Sequence, residues 1–253
     1  SNTFKIKKGL DIKLLGEAEK TITEISPKVC AIKPPDFHGV FPKLLVKEGD
    51  EVKAGSPLFF DKYRENIIFT SPVSGKVKEI RRGAKRVLLE LSVEAAPEQE
   101  FVDFGAADPN SLDKAAVTEK MLKSGVWPMM RQRPYSIVAN PDDDPKAIMI
   151  SAFDSAPLAP GFAFMAKDQE KELQAGIDAL KKLTSGKVHM NISHKQATTS
   201  FGKLQGVELN IFSGPHPAGN VSVHISKLDP INKGETIWYL GPQEVITIGN
   251  LFL

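Results

Sequence analysis

The sequence predicts an α+β chain built from two unlike units, a small β-barrel followed by a larger α/β domain, and three features of its 253 residues carry that prediction. Residues 43–80 hold short apolar runs ended by turn chemistry at Gly49-Asp50, Gly55-Ser56-Pro57 and Ser71-Pro72. From Ala147 onward, apolar runs of strand length alternate with segments of helical period. Charge also changes sign along the chain: residues 1–95 hold 18 Lys/Arg against 13 Asp/Glu, and the remainder 15 against 18.

Composition narrows the class. Hydrophobic content of 41% with 25% charged residues is that of a globular chain. No apolar run approaches the ~20 residues of a membrane span, and no basic stretch followed by an apolar one marks a secretory signal. A single cysteine, Cys30, excludes an internal disulfide and an iron–sulfur cluster held by the chain's own cysteines, which fits a reducing compartment. The net charge of +2 and a mildly basic first half do not describe a dedicated nucleic-acid binder.

Residues 1–35 read as an extended lead-in. Phe4, Ile6, Leu10 and Ile12 alternate as a half-buried strand does. Ile22 and Ile25 lead to Pro27, and Val29–Ile32 reads as a strand stopped by Pro34-Pro35, with Cys30 a small core residue. His38 beside Gly39 reads as a turn histidine without a chemical partner. Lys43–Pro57, Leu58–Thr70 and Ser71–Ile80 then follow as strand-and-turn pieces, with Val73, Val77 and Ile80 resuming the apolar pattern. This arrangement resembles the biotinyl/lipoyl-type barrel-sandwich hybrid, whose carrier members hold a modified lysine at the tip of a central hairpin. Pro57 and Pro72 bracket that hairpin here, with a midpoint between Arg64 and Glu65. Lys62 is therefore predicted off the tip, and no covalent carrier lysine is expected. Lys76, Lys78, Arg81, Arg82, Lys85 and Arg86 put six positive charges in eleven residues. Gly83 predicts a hairpin joining Val77–Ile80 to Val87–Val93. The basic tip reads as solvated, ahead of a docking patch for an acidic partner or a membrane surface.

Ala95-Ala96-Pro97 closes the barrel unit, so residues 1–95 are assigned to it. Residues 96–146 form a helical connector and 147–253 a Rossmann-like α/β domain. In the connector, Ser111–Ser124 is predicted helical, with Ser111 and Asp113 at its start and Gly125 past its end. Gly125–Ser136 then sets Arg131 and Arg133 between Trp127 and Tyr135 on a path stiffened by two prolines. Guanidinium groups suit carboxylates, phosphates and aromatic faces, so this stretch either meets a ligand or a neighbouring subunit or is a rigid connector. Beyond it, Ala147–Phe153, Lys187–Ser193, Val207–Phe212 and Glu235–Leu240 read as strands. Asp168–Leu183, Val221–Leu228 and the segment opened by Pro242 read as helices. The chain stops on an apolar Leu253, which reads as a cut at a domain boundary.

The sheet invites a search for phosphate loops. No G-x-G-x-x-G follows a strand. Gly214-x-x-x-x-Gly219 lacks the following Lys-Ser/Thr of a P-loop, having Asn220-Val221. It remains a glycine-rich strand-to-helix turn, with His216 between Pro215 and Pro217, at the carboxyl edge where open α/β sheets bind ligands. His189 and His194 are not at metal-ligand spacing, and Asp142–Asp144 lies between two prolines as a turn, so no metal site is expected.

The barrel unit, Gly-Val-Trp…Arg-Gln-Arg-Pro-Tyr over 125–136 and Phe-Ser-Gly-Pro-His-Pro-Ala-Gly-Asn-Val-x-Val-His-Ile over 212–225 occur in that order. Together they resemble the A subunit of the bacterial sodium-translocating NADH:quinone oxidoreductase. The resemblance covers the N-terminal part of that family, without its later β-grasp and helical parts. It implies a peripheral subunit on the cytoplasmic face of the bacterial inner membrane, in a complex that oxidises NADH, reduces ubiquinone and exports sodium. It also implies that the other subunits are partners and that ubiquinone is the complex's substrate. The flavins and iron centres would reside in those other subunits, so no cofactor is expected on this chain. Arg131, Arg133 and His216, with Gly214 and Gly219, are then expected to meet a quinone head or a neighbouring subunit. Two alternatives are the C subunit of an Rnf-type electron-transport complex and a lipoyl- or biotin-type carrier.

Overall fold

A computed structural model describes residues 2–253. The first strand, β1 (Asn2–Lys5), does not join the barrel that follows it: it runs parallel to the strand Glu208–Ser213 in a larger sheet. The alternation over residues 4–12 is thus used only as far as Lys5, and Leu10 and Ile12 are exposed.

The barrel-sandwich holds β2 (Val29–Ile32), β3 (Pro42–Leu44), β4 (Glu51–Val52), β5 (Pro57–Asp61), β6 (Arg64–Thr70), β7 (Gly75–Arg82) and β8 (Leu88–Ala95). Its sheets have the orders β2-β8-β7-β4 and β3-β5-β6. Inward-facing Leu58, Phe59, Ile67, Phe69, Val77, Leu91 and Val93 fill the space between them. Phe59 and Phe69 stack at 4.5 Å across the β5–β6 pair. Cys30, on the outer strand β2, is half-buried. The basic stretch forms the β7–β8 hairpin, with Lys85 and Arg86 exposed at its tip.

The β5–β6 hairpin corrects one sequence expectation. Asp61 pairs with Arg64, so the turn is Lys62-Tyr63, and Lys62 stands at the tip. Counting between the prolines failed because β5 has five residues and β6 seven, with two register shifts in the pair. Asp61, 1% exposed, organises the turn by accepting hydrogen bonds from the Phe41 and Tyr63 N–H groups and from Arg64 Nε. The Arg64 guanidinium also donates to the Val138 carbonyl at 3.0 Å, tying the hairpin to the next unit.

Helix α1 (Lys114–Ser124) follows. Its N-cap is Asp113, whose carboxylate accepts the Ala116 N–H at 2.8 Å, and Gly125 ends it in the left-handed conformation. Ser111 closes a preceding 3₁₀ turn instead of starting the helix. The stretch expected as a connector then adds strands to the larger sheet: β9 (Arg131–Arg133) and β10 (Ile137–Val138) pair antiparallel.

The α/β domain continues with β11 (Ala147–Ser151), α2 (Phe162–Met165), α3 (Glu170–Lys182), β12 (Lys187–Ser193), β13 (Glu208–Ser213), α4 (Val221–Leu228), β14 (Ile237–Leu240) and α5 (Pro242–Phe252). The seven strands run β1-β13-β12-β11-β14-β9-β10. Those from β1 to β14 are parallel, while β9 lies antiparallel to β14. Helices α3 and α5 pack together on one face of the sheet. On the other face, Ile225 of α4 joins Ala147, Met149 and Ile237. The main apolar core is continuous from Phe59 and Phe69 of the barrel through Met121 and Trp127 to Ile148 and Ile150 of the sheet. Among the described residues, no helix is long and apolar enough to cross a membrane.

Candidate functional site

Strand order determines where the sheet can open a site. Along the chain, β12 and β13 are laid on one side of β11, and β14 on the other. The chain therefore leaves β11 through α3 toward β12 on one side, and returns from β13 through α4 to β14 on the other. That switch point is where open α/β sheets leave a crevice. A cleft of about 390 Å³ occupies it. Ser151 at the end of β11 and Asp154 beyond it border the cleft, as do Leu240 at the end of β14, Gly241 beyond it, and Gly219, Asn220 and Ser222 at the start of α4.

Arg131, Arg133 and Tyr239 form its wall. Strand alternation sends Arg131 and Arg133 to one face of β9 and Gln132 to the other. Gln132 enters the core, where its Oε1 accepts the Trp238 indole N–H at 2.9 Å and its Nε2 donates to Asp143. Arg131 lies opposite Tyr239 in the β9–β14 register, and the Arg133 guanidinium stacks over the Tyr239 ring at 5.2 Å. The Tyr239 hydroxyl is 2.6 Å from Ser136 Oγ. Arg133 Nε is buried and has no hydrogen-bond partner, while Arg131 donates to the Asp36 carbonyl at 3.3 Å. The first turn of α4 has no side-chain cap, so its N-terminal N–H groups add donor character to the cleft. At α5, Glu244 reaches back to accept the N–H of the N-cap residue Gly241.

The structure thus brings Arg131, Arg133 and Gly219 together but leaves His216 and Gly214 outside the cleft lining. The 214–220 loop is packed from both sides. His216 donates its backbone N–H to Asp11, and its carbonyl accepts the Leu10 N–H. Ser155 Oγ accepts the Gly219 N–H at 2.8 Å and lies 3.0 Å from His216 Nδ1. The two glycines serve close approach. A Cβ on Gly214, at φ +125°, would collide with the Ile6 carbonyl, and one on Gly219 with the backbone of Asp154-Ser155.

Behind the cleft, His224 is fully buried against Phe212, with ring centroids 4.2 Å apart. Its Nε2 donates to the Ala218 carbonyl at 3.0 Å, leaving Nδ1 to face Ser151 Oγ at 3.4 Å. Burial pushes its pKa down to about 4. Tyr239, Ser136 and Ser151 were not identified from the sequence. The one usable signal was Tyr239, a tyrosine one residue from the carboxyl end of a predicted strand; its pairing with β9 is a long-range event.

Comparison with known proteins follows the same division. Residues 4–96 match the family model described as the NqrA N-terminal barrel-sandwich hybrid domain. Residues 112–253 match the NqrA second alpha/beta domain. A protein of Yersinia pseudotuberculosis, named as the A subunit of the Na(+)-translocating NADH-quinone reductase, is 39% identical over 253 residues, covering 98% of this chain and 56% of the relative. The proteins of the same name from Marinomonas sp. and Vibrio atlanticus are 38% and 37% identical, covering 99% and 98% of this chain and 56% of each relative. The chain thus spans little more than half the length of these curated relatives. The matches give the Rnf-type alternative no support. With both structural units matched in order, the chain belongs to the NqrA family, that of the A subunit of the Na(+)-translocating NADH-quinone reductase.

Proposed function

We propose that this chain supplies the N-terminal barrel and the second, α/β domain of a peripheral subunit of a membrane NADH:ubiquinone reductase that couples electron transfer to sodium export. It works on the cytoplasmic face of the bacterial inner membrane, with the other subunits as partners. Its own contribution is structural and quinone-related: it carries no redox cofactor, and ubiquinone is the substrate of the complex. Family membership supports the assignment to the complex. The observation that carries the chain's own role is the pair of arginines that line the switch-point cleft against Tyr239. A quinone head offers carbonyl oxygens, which only accept hydrogen bonds, and guanidinium groups only donate them. Their role in this reading is to position and polarise a carbonyl through guanidinium N–H donors. The carrier alternative is set aside despite the placement of Lys62, because the matched relatives are reductase subunits.

Replacing Arg133 or Arg131 by Ala in the assembled complex should raise KM for ubiquinone by roughly tenfold or more, since a hydrogen bond from a charged donor contributes about 1.5–3 kcal/mol. His216→Ala should leave that KM unchanged. Unaltered quinone reduction in both arginine variants, with the complex intact, removes the cleft from the quinone site. A second reading, contact with a neighbouring subunit, is favoured by exposed aromatics where the barrel meets β9 and β10. Phe41, Tyr63 and Tyr135 are 55%, 67% and 77% exposed, and such residues beside arginine are typical interface anchors. Its signature is loss of assembly in the arginine variants with normal KM in the complexes that remain.

A further inference from the structure

The segment joining β1 to β2 is the largest mismatch between composition and surroundings in the chain. Leu10, Ile12, Leu14, Leu15, Ile22 and Ile25 are between 52% and 104% exposed. They are six of the sixteen large apolar side chains exposed among the described residues. The strap is fastened at both ends. The Ile6 and Leu10 N–H groups donate to the carbonyls of Ser213 and His216, and the Lys28 carbonyl accepts the Ala95 N–H. Between those anchors, residues 12–27 are all exposed and make no hydrogen bond to other parts of the chain among the described residues.

Isolated exposed aliphatic residues are ordinary, whereas a contiguous run of them marks a contact surface. Its pattern is specific: Leu10, Ile12 and Leu14 alternate with Asp11 and Lys13, the period of a strand with one face buried, yet no strand forms there, and beyond the contacts of Leu10 and Asp11 with His216 nothing pairs with it among the described residues. A lipid surface is a poor match, because Asp11, Glu17, Glu19 and Glu24 are interleaved with the apolar residues.

We propose that residues 10–25 are a docking strap for the portion of the full-length polypeptide that follows the second α/β domain, and that Leu10–Leu14 is completed there as a strand. The aligned residues cover 56% of each matched relative, and the two matched domains are the N-terminal and second ones. In those relatives a cover is therefore available in the same molecule. The strap is tied to both sheets and cannot retract its apolar side chains into either. A cover in the same chain meets it at high effective concentration from the moment of folding, which a separate subunit does not.

The test uses the full-length protein assembled in its complex. A photo-reactive p-benzoylphenylalanine replaces Leu15 or, separately, Ile22, and cross-linked peptides are identified by mass spectrometry. Links to peptides of the same chain beyond the second α/β domain are expected. Links to another subunit, or only to residues 2–253, would overturn the proposal. Hydrogen exchange of the unsubstituted full-length protein supplies a second readout that does not depend on the probe. Amides of residues 12–27 should exchange at least tenfold more slowly than an unstructured peptide of the same sequence, and exchange at the unstructured rate would also overturn it.

Discussion

At the scale of single residues, His224 shows how burial selects a protonation state. Its imidazole donates to a carbonyl on one side and packs on Phe212, and nothing nearby offers a negative charge to a second proton. Burial lowers its pKa from 6.5 to about 4, and the Ala218 hydrogen bond opposes that only in part. Between those two values the unfolded chain holds the proton and the folded chain does not. Stability should therefore fall as pH drops from 6.5, by roughly 3 kcal/mol in all, and this contribution should level off below about 4. Urea midpoints at pH 7 and pH 4.5, for the native chain and for His224→Gln, isolate the effect. The variant should lose part of the acid slope, and identical slopes would refute a buried neutral histidine. The arginine predictions rest on the same scale. Guanidinium chemistry was legible from residue type, while the stacking of Arg133 on Tyr239 required the fold.

At the scale of elements, local chemistry did most of the work. The Lys187–Ser193, Val221–Leu228 and Pro242–Phe252 boundaries follow from apolar period, proline and glycine placement alone. Helix α1 began later than Ser111 suggested because Pro109 opens a separate turn and Asp113 holds the cap. Asp113→Ala should lower stability by about 1 kcal/mol, the usual cost of an N-cap, measured as a shift in the urea midpoint at constant slope. A null shift would show that tertiary packing alone sets that end of the helix. The β5–β6 hairpin teaches the opposite lesson. Its tip depends on register shifts between two strands, which no count along one strand reveals.

At the scale of the whole molecule, the two units share one core. Leu58 and Phe59 of the barrel, Met121 and Trp127 of the connector, and Ile148 and Trp238 of the sheet belong to a single buried cluster. Trp127 and Trp238 meet edge-to-face at 5.5 Å. Arg64 adds a polar tie from the barrel to β10. Calorimetry should therefore show one unfolding transition, with calorimetric and van't Hoff enthalpies in agreement. Two resolved transitions would show that the shared core does not couple the units.

The sequence alone determined the two classes of unit, most of the helices and strands, and the family, because these depend on residue type and on spacing over a few turns. It also singled out Arg131, Arg133 and Gly219, three residues that meet at the cleft. Tertiary structure decided the rest. It carried β1 into the distant sheet, added part of the helical connector to that sheet as β9 and β10, excluded His216 and Gly214 from the cleft, and moved Lys62 to a hairpin tip. Each of those outcomes is a pairing between segments far apart in the chain. Pairing energy depends on which partner is available, and one strand's own pattern does not contain that information.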